Sequence, residues 1–193
     1  MSYNNLIYEI DNRINIISIN RPKNLNALNI ETFSELDHAV KSSIANPDVR
    51  LIIITGAGDK AFVAGADIKE MSSKSFSDLI DNDFIKPWEK ISLCKKPTIA
   101  AVDGYALGGG CEIAMMCDII IAADNAKFGQ TGPKVGSFDG GWGASYMARI
   151  LGQKRAREIW YLCRFYDAQK ALDWGLVNAV VPYSQLEQET VQW

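Results

Sequence analysis

The sequence predicts an α/β protein in which parallel strands alternate with helices. Leu51–Ile54 is apolar throughout, and TIAAV at 98–102 is apolar after its first residue, as strands buried on both faces of a parallel sheet are. A third run, DIIIAAD at 118–124, follows the second after only one apolar helical segment. Strand, helix and strand in so few residues predict a parallel crossover. With 193 residues, 48% of them hydrophobic and 22% charged, the chain is expected to form one packed domain over 1–193.

The remaining elements follow from local patterns along the chain. LIYEI and INIISIN flank the turn residues 11–13 and predict a β-hairpin. Apolar residues at spacings of three and four predict a helix over 29–45. Similar reasoning predicts helices near 84–91, 111–117, 144–151, 153–163 and 168–174, an irregular glycine-rich loop over 128–143, a strand at 178–181 and a final helix from about Ser184.

Composition excludes several classes of protein. The net charge of −3 lacks the basic excess of a nucleic-acid-binding or membrane-surface protein, and no run approaches the roughly 18 apolar residues of a membrane span. Four scattered cysteines and a start without a secretory leader predict a cytoplasmic protein with reduced thiols. The single histidine, His38, is expected at the surface, which disfavours a Ser/His/Asp triad or a histidine-based zinc site. Nothing indicates a metal or a nicotinamide.

Two glycine turns carry the chemistry that the sequence predicts. FVAGADIKEM at 62–71 and GYALGGGCEIA at 104–114 each place small residues after a buried strand, where a ligand can approach backbone N–H groups. Two such turns that face each other form an oxyanion hole. The second turn also begins a helix, whose N-terminal dipole favours negative charge. The alternative is that the glycines only permit tight packing of strand and helix.

Glu112 lies two residues beyond the glycine triplet, in the first turn of an otherwise apolar helix. Burying a carboxylate there is unfavourable unless it has a partner or a task. One interpretation is a general acid or base beside the oxyanion hole, with a pKa set by desolvation. The other is a simple partner for the helix dipole.

These motifs resemble a known family. NRPKNLNAL, FVAGADIKEM and GYALGGGCEIAMMCDIIIAADNAKFGQ are similar to the enoyl-CoA hydratase (crotonase) superfamily, and over 1–130 to enoyl-CoA hydratase itself. Residues 131–193 resemble another branch, the 1,4-dihydroxy-2-naphthoyl-CoA synthases of menaquinone biosynthesis, with a seam near 128–130. The resemblance implies a crotonase-like ββα spiral core, an acyl-CoA substrate and a homo-oligomer, a trimer or hexamer. It also implies further C-terminal helices that this chain lacks, so that a truncated or hybrid chain is expected.

The hydratase resemblance implies roles for individual residues. The N–H groups of Ala66 and Gly109 would bind the thioester oxygen, and Glu112 would be the first catalytic carboxylate. The residues expected along the CoA moiety are Lys23, Leu25, Ala27, Ala64, Gly65, Asp67 and Ile68.

The synthase resemblance implies a second group of residues. Gly132 stands where a hydratase carries its second glutamate, and in synthases of the glycine type a bound bicarbonate takes the place of that carboxylate. Gln130, Thr131, Gly132 and Trp160 match the bicarbonate pocket, and Ser137 and Asp139 match polar groups that face the aromatic end of the substrate. The chain departs from the synthase pattern at Gly65-Ala66-Asp67 and at Cys111-Glu112, where that family has Gly-Gly-Asp and His-Val.

The sequence therefore favours 2-enoyl-CoA hydration, with no cofactor beyond the CoA of the substrate. Two alternatives stay open. One is naphthoyl-CoA ring closure, assisted by bicarbonate. The other is an acyl-CoA binder without turnover, because one of the two hydratase carboxylates is missing.

Overall fold

The computed structural model describes residues 2–72, 86–137 and 142–193, and these form two sheets flanked by helices. The larger sheet has six strands in the order β1-β2-β3-β4-β6-β9. Its strands are Leu6–Asp11 (β1), Ile14–Ile19 (β2), Leu51–Gly56 (β3), Thr98–Val102 (β4), Ile119–Ala123 (β6) and Ala179–Val181 (β9). β1 and β2 form the predicted antiparallel hairpin, and every later pairing in this sheet is parallel. The predicted crossover from β4 to β6 is confirmed.

The smaller sheet was not predicted from the sequence. It joins Tyr105–Leu107 (β5), Lys127–Gly129 (β7) and Tyr166–Asp167 (β8), with β5 and β7 parallel and β7 and β8 antiparallel. Each strand has three residues or fewer, too short for an alternating pattern to be visible. The last two residues of β7, Phe128 and Gly129, lie inside the segment 128–143 that was expected to be an irregular loop.

The helices agree closely with the predictions, apart from a short one at Ile68–Met71 that was not predicted. They are Ile30–Ala45 (α1), Ile68–Met71 (α2), Lys86–Ser92 (α3), Gly109–Met116 (α4), Gly143–Leu151 (α5), Gln153–Leu162 (α6), Ala168–Trp174 (α7) and Leu186–Gln192 (α8). Asn29 caps α1, because its side chain accepts a hydrogen bond from the Thr32 N–H. The start of the helix predicted at 84–91 lies outside the described residues. Among those described, no helix is long and apolar enough to cross a membrane.

Alternation along the strands divides the core between the two faces of the large sheet. Ile52 and Ile54 of β3 belong to the larger apolar cluster, which also contains residues of α1, α3 and α4. Ile53 points to the opposite face and belongs to a smaller cluster with Leu186 of α8. β4 is buried over its whole length, as its continuous apolar run predicts.

Two further expectations are settled by the fold. His38 is exposed and hydrogen-bonds the Tyr3 hydroxyl, as predicted for a surface residue.

The two glycine turns, however, do not directly end β3 and β4. The first follows an extended segment at 61–63, and the second follows β5, so both lie in the layer of the small sheet. This placement depends on pairing between distant segments, which a local pattern does not reveal.

Candidate functional site

The two glycine turns lie side by side. Val63 pairs with Ala106 in parallel, and the Leu107 N–H donates to the Val63 carbonyl at 3.0 Å. Ala66 and Gly109 lie three residues beyond this bridge, one in each of the two adjoining turns. The turns are close, since a Cβ added to Gly108 would lie 3.9 Å from Gly65 Cα.

The glycines of these turns have two different reasons to be glycine. Gly65 (φ 98°) and Gly108 (φ 50°) adopt backbone conformations that other residues rarely adopt. Gly110 allows close packing, because a Cβ there would lie 2.0 Å from the Val63 carbonyl oxygen. Tight packing therefore does explain Gly110. Within the described residues no hydrogen bond uses the N–H of Ala66 or of Gly109; for Gly109 this follows from its place as the first residue of α4, whose N–H has no partner inside the helix.

The segment before α1 holds the first turn from the other side. The Leu28 N–H donates to the Gly65 carbonyl, and the Asp67 N–H donates to the Leu28 carbonyl, both at 2.8 Å. In a parallel bridge these groups flank the central residue, here Ala66, whose own N–H and C=O face away from Leu28. The N–H of Ala66 is thus directed away from the segment that fixes it.

Glu112 is buried, with 5% of its surface exposed, although it lies in the first turn of α4. It stands three residues after Gly109, on the same side of the helix. Gly143, the first residue of α5, packs against it so closely that an added Cβ would lie 2.6 Å from Glu112 Oε1. Burial raises the pKa of the neighbouring Cys111 thiol to about 12, so this cysteine is protonated at neutral pH and is not a nucleophile.

A buried polar group follows β7. The Gly108 N–H donates to the Gly129 carbonyl at 2.9 Å, which brings the residue after Gly129 next to the second glycine turn. That residue, Gln130, is fully buried, and neither atom of its amide has a partner within the described residues. The indole N–H of Trp160 in α6 is also buried and has no hydrogen-bond partner within the described residues.

The other residues that the synthase resemblance places at the bicarbonate pocket and beside the substrate are less buried. Thr131, Gly132 and Ser137 are half-buried, and the Ser137 N–H donates to the Gly132 carbonyl at 3.0 Å. A Cβ on Gly132 would make only ordinary contact, 3.6 Å from the Ser137 carbonyl oxygen. Asp139 lies outside the described residues.

The residues expected along CoA occupy two adjoining segments. Lys23 and Leu25 line a cavity of about 320 Å³ together with Lys60 and Ala61. Ala64 is tied to this region, because its N–H donates to the Leu25 carbonyl at 3.0 Å.

Asp67, Ala27 and Ile68 complete the expected CoA set. The Asp67 carboxylate caps α2 and pairs with Arg21 at 3.0 Å, while the Ala27 carbonyl accepts from the same guanidinium. Ile68 is 62% exposed.

Sequence reasoning missed three residues that shape the site. Arg21 and Asn26 link the segment at 20–28 to the first glycine turn and to the residues before it. Both stand in the motif NRPKNLNAL, which was the available signal. Gly143, against Glu112, gave no signal, because only the tertiary contact shows that a side chain has no room there.

Comparison with known proteins gives a consistent result. The family model for enoyl-CoA hydratase/isomerase matches residues 9–193, on both sides of the suspected seam. Among solved structures, enoyl-CoA hydratase subunit I of Geobacillus kaustophilus superposes with a TM-score of 0.95 and 36% identity, over 98% of this chain and 74% of that one. An enoyl-CoA hydratase from Bacillus anthracis superposes with a TM-score of 0.93 and 34% identity, over 97% of this chain and 74% of that one. An enoyl-CoA hydratase/carnitine racemase from Magnetospirillum magneticum superposes with a TM-score of 0.94 and 31% identity, over 99% of this chain and 73% of that one.

Proposed function

The chain belongs to the enoyl-CoA hydratase/isomerase family, and on that premise we propose that it adds water to 2-enoyl-CoA thioesters. One observation carries the proposal. Ala66 and Gly109 lie in two adjacent glycine turns, their N–H groups are used by no described residue, and the buried carboxylate of Glu112 follows on the helix that Gly109 begins. Two donors and one acid or base are the parts that this reaction needs.

In the proposed mechanism, the two N–H groups bind the thioester oxygen. Water adds to C3 of the double bond, and the electron pair moves through C2 to this oxygen, which becomes an enolate. Each preorganised donor lowers the barrier by about 3 kcal/mol, because the charge develops where the donors already point. The N-terminal dipole of α4 acts in the same sense, since Gly109 is its first residue.

Glu112 is the proposed proton carrier. As a carboxylate it takes a proton from the attacking water, and the resulting acid delivers a proton to C2, so that the carboxylate is restored. Its enclosure by Gly143 holds it in one position. With no carboxylate at Gly132, this single group carries out both transfers.

The test is the substitution Glu112→Gln in an assay of crotonyl-CoA hydration. Because glutamine keeps the size of the side chain but transfers no proton, kcat should fall by about 10²- to 10⁴-fold. CoA binding, measured by calorimetry, should stay nearly unchanged. Glu187→Gln, on the exposed surface of α8, is the matched control and should retain full activity. Wild-type turnover in Glu112→Gln would remove the role of Glu112.

Ring closure to a naphthoyl-CoA is the second candidate, favoured by the unpartnered polar atoms of Gln130 and Trp160. Each group matches bicarbonate chemically, because the amide and indole N–H groups can donate to its oxygens and the amide oxygen can accept from its hydroxyl; the proposal requires that Gln130 and Trp160 face a common space. Bicarbonate would supply a diffusible base at that position. The chain itself would contribute these donors, with Ser137 and Asp139 proposed to face the aromatic part of the substrate. Bicarbonate-dependent turnover of o-succinylbenzoyl-CoA, without crotonyl-CoA hydration, would favour this candidate.

Gly132→Glu separates the two enzymatic candidates. Its φ lies outside the left-handed region and a Cβ has room, so the backbone does not require glycine. If Gly132 marks the place of the second carboxylate, the variant should hydrate crotonyl-CoA faster and lose any dependence on bicarbonate. An unchanged hydration rate in a folded variant would contradict this role. CoA binding without turnover of either substrate would leave the third candidate, an acyl-CoA binder.

We further propose that the chain self-associates and acts in the cytoplasm on acyl-CoA of fatty acid metabolism. Apolar side chains stay exposed at the end of α6 and beyond it, Tyr161 at 77% and Phe165 at 50%. Exposed apolar groups in one region are typical of contacts between subunits. All four cysteines are free thiols, which agrees with a reducing compartment.

A further inference from the structure

We propose that Arg21 is a positioning residue for the Ala66 N–H, whose direction it fixes through Asp67 and Ala27. The inference rests on the proposed function, in which this N–H is one of the two donors to the thioester oxygen. Arg21 lies outside the set of residues assigned to CoA or to catalysis.

The guanidinium of Arg21 joins both sides of the parallel bridge at Ala66. Its Nη2 lies 3.0 Å from Asp67 Oδ2, and its Nη1 donates to the Ala27 carbonyl. Asp67 directly follows Ala66, and Ala27 directly precedes Leu28, the residue whose backbone pairs on both sides of Ala66. A planar, forked cation is suited to holding two acceptors in a fixed relation.

Asn26 anchors Arg21 to the body of the protein. The Asn26 side chain is buried, and its Oδ1 accepts from the Arg21 N–H at 2.9 Å. Its Nδ2 donates to the carbonyls of Ala57 and Ala61, at 3.0 and 2.7 Å. Every polar atom of this amide is therefore used, so the segment that presents Arg21 cannot shift without breaking buried hydrogen bonds.

The pairing is shielded from water and keeps its charge. The side chains of Arg21 and Asp67 are each only 15% exposed. Burial alone would raise the pKa of the Asp67 carboxyl, but the hydrogen bond and charge of Arg21, with backbone N–H groups of α2, hold that pKa below its usual value. Asp67 is thus a carboxylate at neutral pH, and its Oδ1 remains available to cap α2.

Loss of the guanidinium should affect the transition state more than the bound substrate. An oxyanion donor acts only if it points at the developing charge, and small misplacements reduce rates strongly. We expect Arg21→Ala to lower kcat about 10- to 100-fold, with KM changed less than about threefold. Arg21→Lys keeps a positive charge but not the fork, and should give an intermediate kcat.

A second measurement reports on the donors without the hydration step. Acetoacetyl-CoA can ionise to an enolate that absorbs in the near ultraviolet, and donors at its thioester oxygen favour that form. The fraction of bound acetoacetyl-CoA present as enolate is measured for wild type, Arg21→Ala and Arg21→Lys, together with the melting temperature and the affinity for CoA. Lys41→Ala, which removes an exposed ion pair with Asp37 on α1, is the matched control.

The expected result is a reduced enolate fraction in Arg21→Ala, a partial recovery in Arg21→Lys and the wild-type value in Lys41→Ala. A wild-type enolate fraction in Arg21→Ala overturns the positioning role and leaves the proposed function intact. If Arg21→Ala does not fold, a wild-type fraction in Arg21→Lys overturns it equally. A wild-type protein that binds acetoacetyl-CoA without forming enolate overturns the oxyanion hole, and the inference with it.

Discussion

At the scale of single residues, two buried carboxyl groups have different surroundings. Glu112 is enclosed by Gly143 beside the glycine turns. Asp103, 3% exposed, follows β4 and lines a separate cavity of about 470 Å³ with Ser18, Thr55 and Tyr183. Its Oδ2 has no partner within the described residues. Burial, and then the charge of Asp59, raise the pKa of Asp103 to about 6. The first carboxyl group is the proposed proton carrier, whereas the second is expected to affect stability.

The raised pKa of Asp103 makes a prediction about stability and pH. The folded protein holds this proton up to pH about 6, whereas the unfolded chain releases it near pH 4. The free energy of unfolding should therefore fall as pH rises between these values and stay lower above them. Asp103→Asn removes this effect. We expect the variant to be more stable than wild type at pH 8, by on the order of 1 to 3 kcal/mol, with no difference near pH 4.

Urea unfolding of both proteins at pH 4, 6 and 8 measures this difference. Asp48→Asn, in an exposed turn after α1, is the control and should shift stability equally little at each pH. A difference between Asp103→Asn and wild type that is the same at all three pH values would contradict the assignment to Asp103.

At the scale of elements, the contact between α4 and the segment at 61–63 determines whether the two glycine turns meet. The two segments are closest at Gly110, where an added Cβ would lie 2.0 Å from the Val63 carbonyl oxygen. The approaching atoms are backbone, so neither partner can move away by a change of rotamer. The position of this helix is thus linked to the separation of Ala66 and Gly109.

Gly110→Ala tests this link. Helix propensity alone predicts that the variant is more stable by about 1 kcal/mol, because Gly110 lies within a helix. The contact predicts the opposite, a loss of about 1 to 3 kcal/mol or more from overpacking, together with loss of hydration activity. Chemical unfolding and the crotonyl-CoA assay measure both. Gly132→Ala, which has room for a Cβ, should leave the free energy of unfolding nearly unchanged. A stabilised, active Gly110→Ala would show that the contact is not required.

At the scale of the whole molecule, several apolar side chains stay exposed at the end of α6 and just beyond it. Tyr161, Leu162 and Phe165 at the end of α6 are exposed, and Phe165 also contacts Tyr105 edge-on at 5.8 Å. A single exposed apolar side chain needs no explanation, but several in one region indicate a contact surface. The proposed self-association would cover it with a second copy of the chain.

Phe165→Glu tests self-association through this region. Introducing a charge where an apolar group is to be covered should shift the distribution towards monomer, because the carboxylate would lose its hydration in the interface. Sedimentation velocity over a range of protein concentrations measures the shift. Arg157→Glu, at an exposed position of α6 that is already polar in the wild type, is the control for introducing a carboxylate in this part of the chain. Identical distributions for wild type and Phe165→Glu would contradict an interface at this position.

Much of this protein can be deduced from local pattern. Continuous apolar runs identified β3, β4 and β6, and spacings of three and four identified α1, because burial on both faces or on one face leaves a repeat that neighbouring residues display. Glu112 stood out for the same reason, since it lies in an otherwise apolar helix, and the structure shows that it is buried. The glycine turns were recognised as places where a ligand can approach backbone N–H groups. The motifs around them led to the family that the comparisons show.

Only the tertiary structure decided how these parts meet. The pairing of Val63 with Ala106 beside the two glycine turns, the approach of Gly143 to Glu112 and the bridge from Arg21 to Asp67, 46 residues apart, are contacts between distant segments. Strands β5, β7 and β8 are too short to show a repeat and exist because their partners are held beside them. A local pattern reports which side of an element is buried. It does not report which other segment that side packs against, because this depends on chain closure and strand register over the whole fold.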